Sequence, residues 1–300
     1  MESSAKEKLY AFRPRHAFFV GVDSDGCVFD TMEIKQKECI IPNLIKYFKL
    51  QAISKYARAA AEFVNLSSKW RGINRFPALT KTIELLRDWP EAMRSGAAIP
   101  DLTSLQAWID SGAALGNPAL EAEVARTGDP VLKLALEWSK AVNHSIPGVV
   151  AGVPPFSGFR ACAERLAPQV DIICVSVASG ETLEREWQEH DIAKYAALIA
   201  GQEMGGKKEH LRIAAGGKYA KDCVLMIGDA PGDLEAARAN GALFFPINPG
   251  YEEQSWERFY REGAHRFFNK TYAASYEASL IEEFEKLLPD LPPWKRAVGR

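Results

Sequence analysis

The sequence predicts an α/β protein with a doubly wound parallel sheet and an inserted, all-helical domain. Short apolar runs alternate with amphipathic segments towards both ends of the chain, as in parallel sheets with helices on both faces. Between about residues 33 and 143 the apolar spacing is helical instead. One strand precedes this helical stretch and the others follow it. We therefore interpret the helical stretch as an insertion behind the first strand.

The predicted strands are short apolar runs bounded by Gly, Asp or Pro, as expected for strands buried on both faces. They span residues 18–22, 172–177, 197–200, 224–227 and 243–247. Amphipathic segments at 159–166, 182–189, 208–215 and 233–240 are the helices predicted between them.

The helical stretch shows its period most clearly in Val131, Leu134, Ala135 and Trp138, which recur at i, i+3, i+4 and i+7. Pro42 is expected to break or kink the first helix of this stretch. We expect residues 1–32 and 148–300 to form the α/β core, with a helical extension from about residue 250. Residues 33–147 are expected to form the helical domain.

The bulk properties are typical of a globular protein and do not identify a partner. Of 300 residues, 47% are hydrophobic and 25% charged, and the net charge of −2 predicts neither a nucleic-acid nor a membrane partner. The apolar run at 17–22 is too short to span a bilayer. Five cysteines without a C-x-x-C pair are expected to be buried free thiols. We therefore expect a cytoplasmic protein; its oligomeric state is left open.

A pair of carboxylates follows the first predicted strand. Asp23 and Asp25 stand at i and i+2 directly after residues 18–22, and Gly26 permits a tight turn. Ligands bind at the carboxyl edge of open parallel sheets, and paired carboxylates suit a hard divalent cation. An ordinary acidic turn produces the same pattern, so this motif by itself does not decide between the two.

A second acidic loop follows the strand predicted at 224–227. Gly228 and Asp229 end this strand, and Asp233 stands where the next helix begins. Each aspartate separately fits a turn or a helix cap. Two acidic loops at the same edge of one sheet can converge on a single metal ion, which favours a functional interpretation.

Two further residues fit a site that binds phosphate. Ser176 stands at the end of the strand 171–175, and Lys207 follows a glycine pair at the start of a helix. Taken alone, a turn serine and a solvated lysine are the commoner interpretations. Lys208 stands beside Lys207 and is an alternative to it as the functional lysine.

The order of these elements resembles the four motifs of the haloacid dehalogenase (HAD) superfamily. The resemblance covers about residues 17–30 and 147–249, and the helical insertion resembles the cap of the C1 class. Its motifs are Asp23-x-Asp25-Gly26, Ser176, Lys207 and Gly228-Asp229-x-x-x-Asp233.

The resemblance implies a phosphohydrolase that cleaves a small phosphorylated metabolite. Asp23 would be the nucleophile that forms an aspartyl-phosphate, and Asp25 the general acid and base. Ser176 and Lys207 would bind the phosphoryl group. Mg²⁺ is the implied cofactor, held by the Asp23 carboxylate, the Asp25 carbonyl and Asp229, with support from Asp233. The presence of Asp25 disfavours the dehalogenase and phosphonate-cleaving branches.

Other functions remain open from the sequence. A phosphomutase of the β-phosphoglucomutase type uses the same aspartate pair, and a non-catalytic binding protein would be expected to lose motif residues. Within residues 69–76, Arg71 and Arg75 are candidate substrate contacts, although a solvated basic turn is the simpler interpretation.

Overall fold

The structure, a computed structural model, describes residues 2–296 and divides them into two compact units. Residues 2–32 and 152–287 form the α/β unit, and residues 33–151 and 288–296 form the helical unit. This division differs from the expected boundaries at two places. Residues 148–151 and 288–296 group with the helical unit, whereas the sequence placed both in the α/β core.

A parallel sheet lies at the centre of the α/β unit and confirms the predicted fold class. Among the described residues its strand order is β3-β2-β1-β4-β5, and all neighbours run parallel. The first strand in the chain therefore lies in the middle, as in doubly wound sheets. The strands are β1 (Phe18–Val22), β2 (Val170–Val175), β3 (Ala196–Ala200), β4 (Val224–Gly228) and β5 (Leu243–Pro246).

Amphipathic helices connect successive strands of this sheet, close to the ranges that the sequence predicts. Each buries an apolar stripe, as Phe159 and Cys162 do in the first of them. The helices of the α/β unit that follow β1 are Ser157–Leu166, Gly180–Glu189, Lys207–Ala214, Pro231–Asn240, Glu252–Arg258, Ala264–Phe268 and Ser275–Leu287.

The helices after residue 250 cover the outer edge of β5. The Phe244 backbone N–H donates to the Glu277 carboxylate at 2.8 Å, and its carbonyl accepts the Tyr272 hydroxyl at 2.8 Å. An exposed strand edge is a template for unwanted pairing, so these two bonds close the sheet on that side. The predicted helical extension therefore has a structural role in the α/β unit as far as Leu287.

The helical unit is built around its own apolar core. Residues 31–47 stay helical throughout, but a π-helical segment at Lys35–Ile40 precedes Pro42. The wider i→i+5 turns accommodate the proline, which has no N–H to donate. The chain therefore changes from α-helix to π-helix before Pro42 and does not break there. Its other α-helices are Ser54–Leu66, Arg75–Arg87, Pro90–Arg94, Thr103–Asp110, Asn117–Thr127, Pro130–Val149 and Pro293–Arg296.

The segment 288–296 packs onto this helical core through aromatic and charged contacts. The Trp294 ring stacks on Trp89 with centroids 3.9 Å apart and an interplanar angle of 8°, and its edge contacts Phe63. Lys295 Nζ lies 2.7 Å from the Asp88 carboxylate. These contacts explain why the segment belongs to the helical unit.

Two further expectations concern cysteines and membranes. All five cysteines are free and buried, as predicted. Among the described residues, no helix has the length and apolar character needed to cross a membrane.

Candidate active site

The loop after β1 presents Asp23 at the carboxyl edge of the sheet. Val22 lies opposite Ile227 of β4, and the Asp23 backbone N–H donates to the Ile227 carbonyl at 3.0 Å. Gly26 has a φ of 82°, the left-handed conformation that the expected tight turn requires. The Ser24 carbonyl accepts the N–H groups of residues 27–29, so the turn is held by its own backbone.

The loop after β4 brings two more carboxylates to the same edge. Asp229 and Asp233 are each fully buried. The Asp233 side chain turns back over the strand end, where its Oδ2 accepts the Ala230 N–H at 3.1 Å. A Cβ on Gly228 would lie 2.3 Å from the Asp233 Cγ, so only glycine leaves room for this arrangement. The steric requirement for the Asp233 side chain therefore explains the glycine at this position of the predicted motif.

Lys207 links the two acidic loops. Its Nζ lies 2.7 Å from Asp23 Oδ2 and 2.7 Å from Asp233 Oδ1, and its side chain is 14% exposed. Lys208 instead extends into solvent and pairs with Glu235 at 3.2 Å, both side chains being about 60% exposed. The geometry thus favours Lys207 over Lys208 as the lysine of the site.

Burial and crowding set the protonation of this cluster. Burial raises the pKa of Asp23 to about 7 although Lys207 opposes the rise, and burial likewise raises the pKa of Asp233. For Lys207, burial acts to lower the pKa, but the two aspartates overcome it and raise the pKa above its usual range. For both aspartates, burial therefore outweighs the attraction of the Lys207 ammonium group, and repulsion between the carboxylates adds to the rise.

The donor set fits a divalent cation such as Mg²⁺. Among the described residues, carboxylate oxygens of Asp23, Asp229 and Asp233 lie within 4.8 Å of one another. Oxygens in an octahedral Mg²⁺ shell lie within about 4.2 Å of one another, which small side-chain adjustments would allow. Three carboxylates and one ammonium leave a formal charge of −2, which such a cation would balance.

Asp25 stands apart from the three clustered carboxylates. It is partly exposed, and its Oδ1 accepts a hydrogen bond from the buried Thr31 hydroxyl. Its backbone carbonyl and side chain remain the predicted ligand and acid. Sequence reasoning did not assign Thr31 to the site. The available signal was its place six residues after Asp25, at the start of the following helix.

Ser176 leaves the sheet at the same edge as Asp23. Val22 of β1 lies opposite Cys174 of β2, so both strands end side by side. Ser176 is buried, and its Oγ accepts the Ala178 N–H at 3.2 Å. This bond uses an oxygen lone pair and leaves the hydroxyl proton to be donated elsewhere.

The two candidate arginines lie in the helical unit and have partners there. Arg71 is 5% exposed and donates to the Leu66 carbonyl at 2.8 Å, at the end of a helix. Arg75 Nη1 donates to Asn143 Oδ1 at 2.7 Å and to Ser139 Oγ at 3.1 Å. Both arginines therefore stabilise the helical unit, and the solvated turn expected as the simpler interpretation is not observed.

Comparisons with known proteins give distant structural likenesses. No protein-family model matches the chain, and no curated protein is similar to it in sequence. A haloacid dehalogenase-like hydrolase from Xanthomonas campestris is 13% identical, with 87% of this chain and 97% of that chain covered and a TM-score of 0.43. A HAD-superfamily hydrolase (subfamily IA, variant 1) from Geobacter sulfurreducens is 15% identical, with 79% of this chain and 90% of that chain covered and a TM-score of 0.38.

A crystal structure described as a predicted phosphatase, from Clostridium acetobutylicum, is likewise 15% identical, with 77% and 84% of the two chains covered and a TM-score of 0.41. At these identities and TM-scores the likeness carries no argument about the function of this chain.

Proposed function

We propose that this chain is a Mg²⁺-dependent phosphohydrolase of the HAD type that acts on a small phosphorylated metabolite through Asp23. The observation that carries the proposal is the contact of one ammonium group with two of three clustered, buried carboxylates. Lys207 bridges Asp23 and Asp233 at 2.7 Å, and Asp229 lies beside them. A helix cap accounts for one oxygen of Asp233, which accepts the Ala230 N–H, but capping does not explain why three carboxylates are buried together beside one ammonium group.

In the proposed reaction, Asp23 attacks the phosphorus atom of a phosphomonoester. One carboxylate oxygen forms a bond to phosphorus while the bond to the leaving oxygen breaks, and Asp25 donates a proton to that oxygen. Asp25 then removes a proton from water as the water attacks the aspartyl-phosphate. Inorganic phosphate leaves, and the Asp23 carboxylate is restored.

Lys207 and Ser176 would bind the transferring group. The Lys207 ammonium offsets negative charge on the phosphoryl oxygens and on Asp23, and the free proton of the Ser176 hydroxyl is available to one phosphoryl oxygen. Asp23, Asp229 and the Asp25 carbonyl would hold Mg²⁺, with Asp233 in support. When bound, the cation supplies Lewis-acid stabilisation of the phosphoryl charge.

The test is phosphate release from a panel of phosphorylated metabolites, with Mg²⁺ or with EDTA. We expect wild type to release phosphate only with Mg²⁺, and Asp23→Asn to lose at least about a thousandfold in kcat because it lacks the nucleophile. Glu235→Gln is the matched control, since this exposed carboxylate lies outside the cluster, and it should keep wild-type activity.

The same assay distinguishes the phosphohydrolase from the alternative, a phosphomutase. A mutase would return the phosphoryl group to its sugar phosphate, so it would interconvert isomers with little release of inorganic phosphate. Metal-dependent release that persists in Asp23→Asn would contradict the assignment of the nucleophile. Absence of both release and isomerisation, with folded protein, would favour a binding function.

A further inference from the structure

The loops that follow β2 and β3 are joined to one another. We call residues 176–180 the serine loop and residues 201–206 the glycine loop. The Ser176 backbone N–H donates to the Ala200 carbonyl at 3.0 Å, and the Gln202 N–H donates to the Ala178 carbonyl at 2.9 Å. The serine loop carries Ser176, and the glycine loop leads directly into the helix that begins at Lys207.

A carboxylate of the glycine loop closes this junction. Glu203 Oε2 accepts the Gly180 backbone N–H at 2.9 Å, and Gly180 is the first residue of the helix that follows the serine loop. A carboxylate at a helix N-terminus satisfies an N–H that the helix cannot use and interacts favourably with the helix dipole. Glu203 therefore fixes the end of the serine loop from the neighbouring loop.

The two loops are also in direct backbone contact. A Cβ on Gly201 would lie 2.6 Å from the Gly180 nitrogen and 2.8 Å from its Cα. Gly201 has a φ of −101°, which any residue adopts, so its side chain is excluded only by the other loop. The absence of a side chain at Gly201 therefore allows the two loops to lie in backbone contact.

We propose that Glu203 is a positioning residue that sets the Ser176 hydroxyl relative to the Lys207 ammonium group. This inference rests on the proposed function, in which both groups bind the same phosphoryl group. The connection runs from the Ser176 Oγ through the Ala178 N–H, then from the Ala178 carbonyl to Gln202. Glu203 follows Gln202 and locks the far end of the serine loop.

The expected effect follows from the cost of misplacement. Phosphoryl transfer depends on positioning and electrostatics, and a shift of about 1 Å in a binding group costs about a hundredfold in rate. Loss of the Glu203 bond loosens the serine loop without removing either phosphate-binding group. We therefore expect Glu203→Ala to lower kcat/KM about tenfold. Glu203→Gln keeps a hydrogen-bond acceptor and should retain most of the activity.

A double-mutant cycle tests whether Glu203 acts through Ser176. In a Ser176→Ala background, Glu203→Ala should add little further loss, because the group that it positions is already gone. Glu184→Ala removes an exposed carboxylate from the same helix as Gly180 and serves as the control that keeps wild-type kcat/KM. Fully additive losses would overturn the proposal, as would a Glu203→Ala variant that is destabilised but has unchanged kcat/KM.

Hydrogen exchange separates failure of this inference from failure of the proposed function. In Glu203→Ala the amides of Gly180 and Gln202 should exchange faster than in wild type, whereas Glu184→Ala should leave them unchanged. Unchanged exchange in Glu203→Ala overturns the positioning role, whatever the activity. Faster exchange in a protein that neither hydrolyses phosphomonoesters nor binds inorganic phosphate with Mg²⁺ would keep the loop junction but overturn the function proposed for it.

Discussion

The two adjacent lysines provide a matched pair for testing the electrostatics of the site. Lys207 lies between two buried carboxylates, whereas Lys208 pairs with Glu235 in solvent. Lys207→Met and Lys208→Met remove the same charge and add the same apolar group one residue apart. Any difference between the variants therefore reports the surroundings of the lysine and not the chemistry of the substitution.

The expected difference in stability is several kcal/mol. Removing one partner of a buried ion pair costs about 3–5 kcal/mol, because it leaves a charge buried without compensation. Since the pKa of Asp23 is already about 7, this carboxyl can take up a proton at neutral pH, so we expect a cost near the lower limit, about 3 kcal/mol. An exposed pair such as Lys208 and Glu235 contributes less than about 1 kcal/mol.

Urea denaturation in EDTA measures this difference without a bound cation. Lys207→Met should lower the urea midpoint clearly with an unchanged slope, and Lys208→Met should leave the midpoint nearly at the wild-type value. With Mg²⁺ present, Lys207→Met should also lose about a hundredfold to a thousandfold in kcat. Equal stability of the two variants would refute the electrostatic reasoning. Loss of activity only in Lys208→Met would assign the functional lysine to position 208.

Two further predictions concern residues outside the acidic cluster. Burial lowers the pKa of His210 from 6.5 to about 4. As the pH falls below 6.5, the unfolded chain is therefore protonated at this residue before the folded chain is, and the free energy of unfolding decreases. His210→Gln should remove about 2 kcal/mol of the decrease between pH 7 and pH 5, measured by urea denaturation at both pH values. Trp294→Ala should destabilise the helical unit by about 1 kcal/mol through loss of the stack on Trp89, measured by hydrogen exchange of helix Ser54–Leu66. Leu291→Ala, at a side chain 54% exposed, should leave that exchange unchanged.

The sequence predicts the sheet well because its signal is local. Each strand is a short apolar run with Gly, Asp, Ser or Pro at its end, and Asp23, Ser176 and Asp229 are placed by the strands that they follow. The alternation of strands and helices predicts a parallel, doubly wound sheet, whereas the order of the strands within it depends on long-range pairing that the sequence does not show. The positions of Asp23, Asp229 and Asp233 at one edge follow from that topology, so they were predictable before any distance was known.

Other features of the structure depend on tertiary contacts that have no local signal in the sequence. Glu203 is one acidic residue in a polar loop, and only the tertiary contact with Gly180 distinguishes it. The segment 288–296 follows a core helix without interruption, yet its Trp294 packs on Trp89, about 200 positions earlier in the chain. Arg71 looked like a surface cation because a buried arginine with a carbonyl partner has no sequence signature.

The free-energy cost of the acidic cluster is itself an argument for a bound cation. Burial raises the pKa of Asp23 and of Asp233, which means that their ionised carboxylates are less stable in the folded protein than in water. A helix cap or a turn residue achieves its structural effect at the surface without that cost. Three buried carboxylates around one lysine are therefore poorly explained by stability alone. A bound cation would lower the pKa of Asp23 and of Asp233 again, because it stabilises the ionised carboxylates, and its charge would also attract the phosphoryl group.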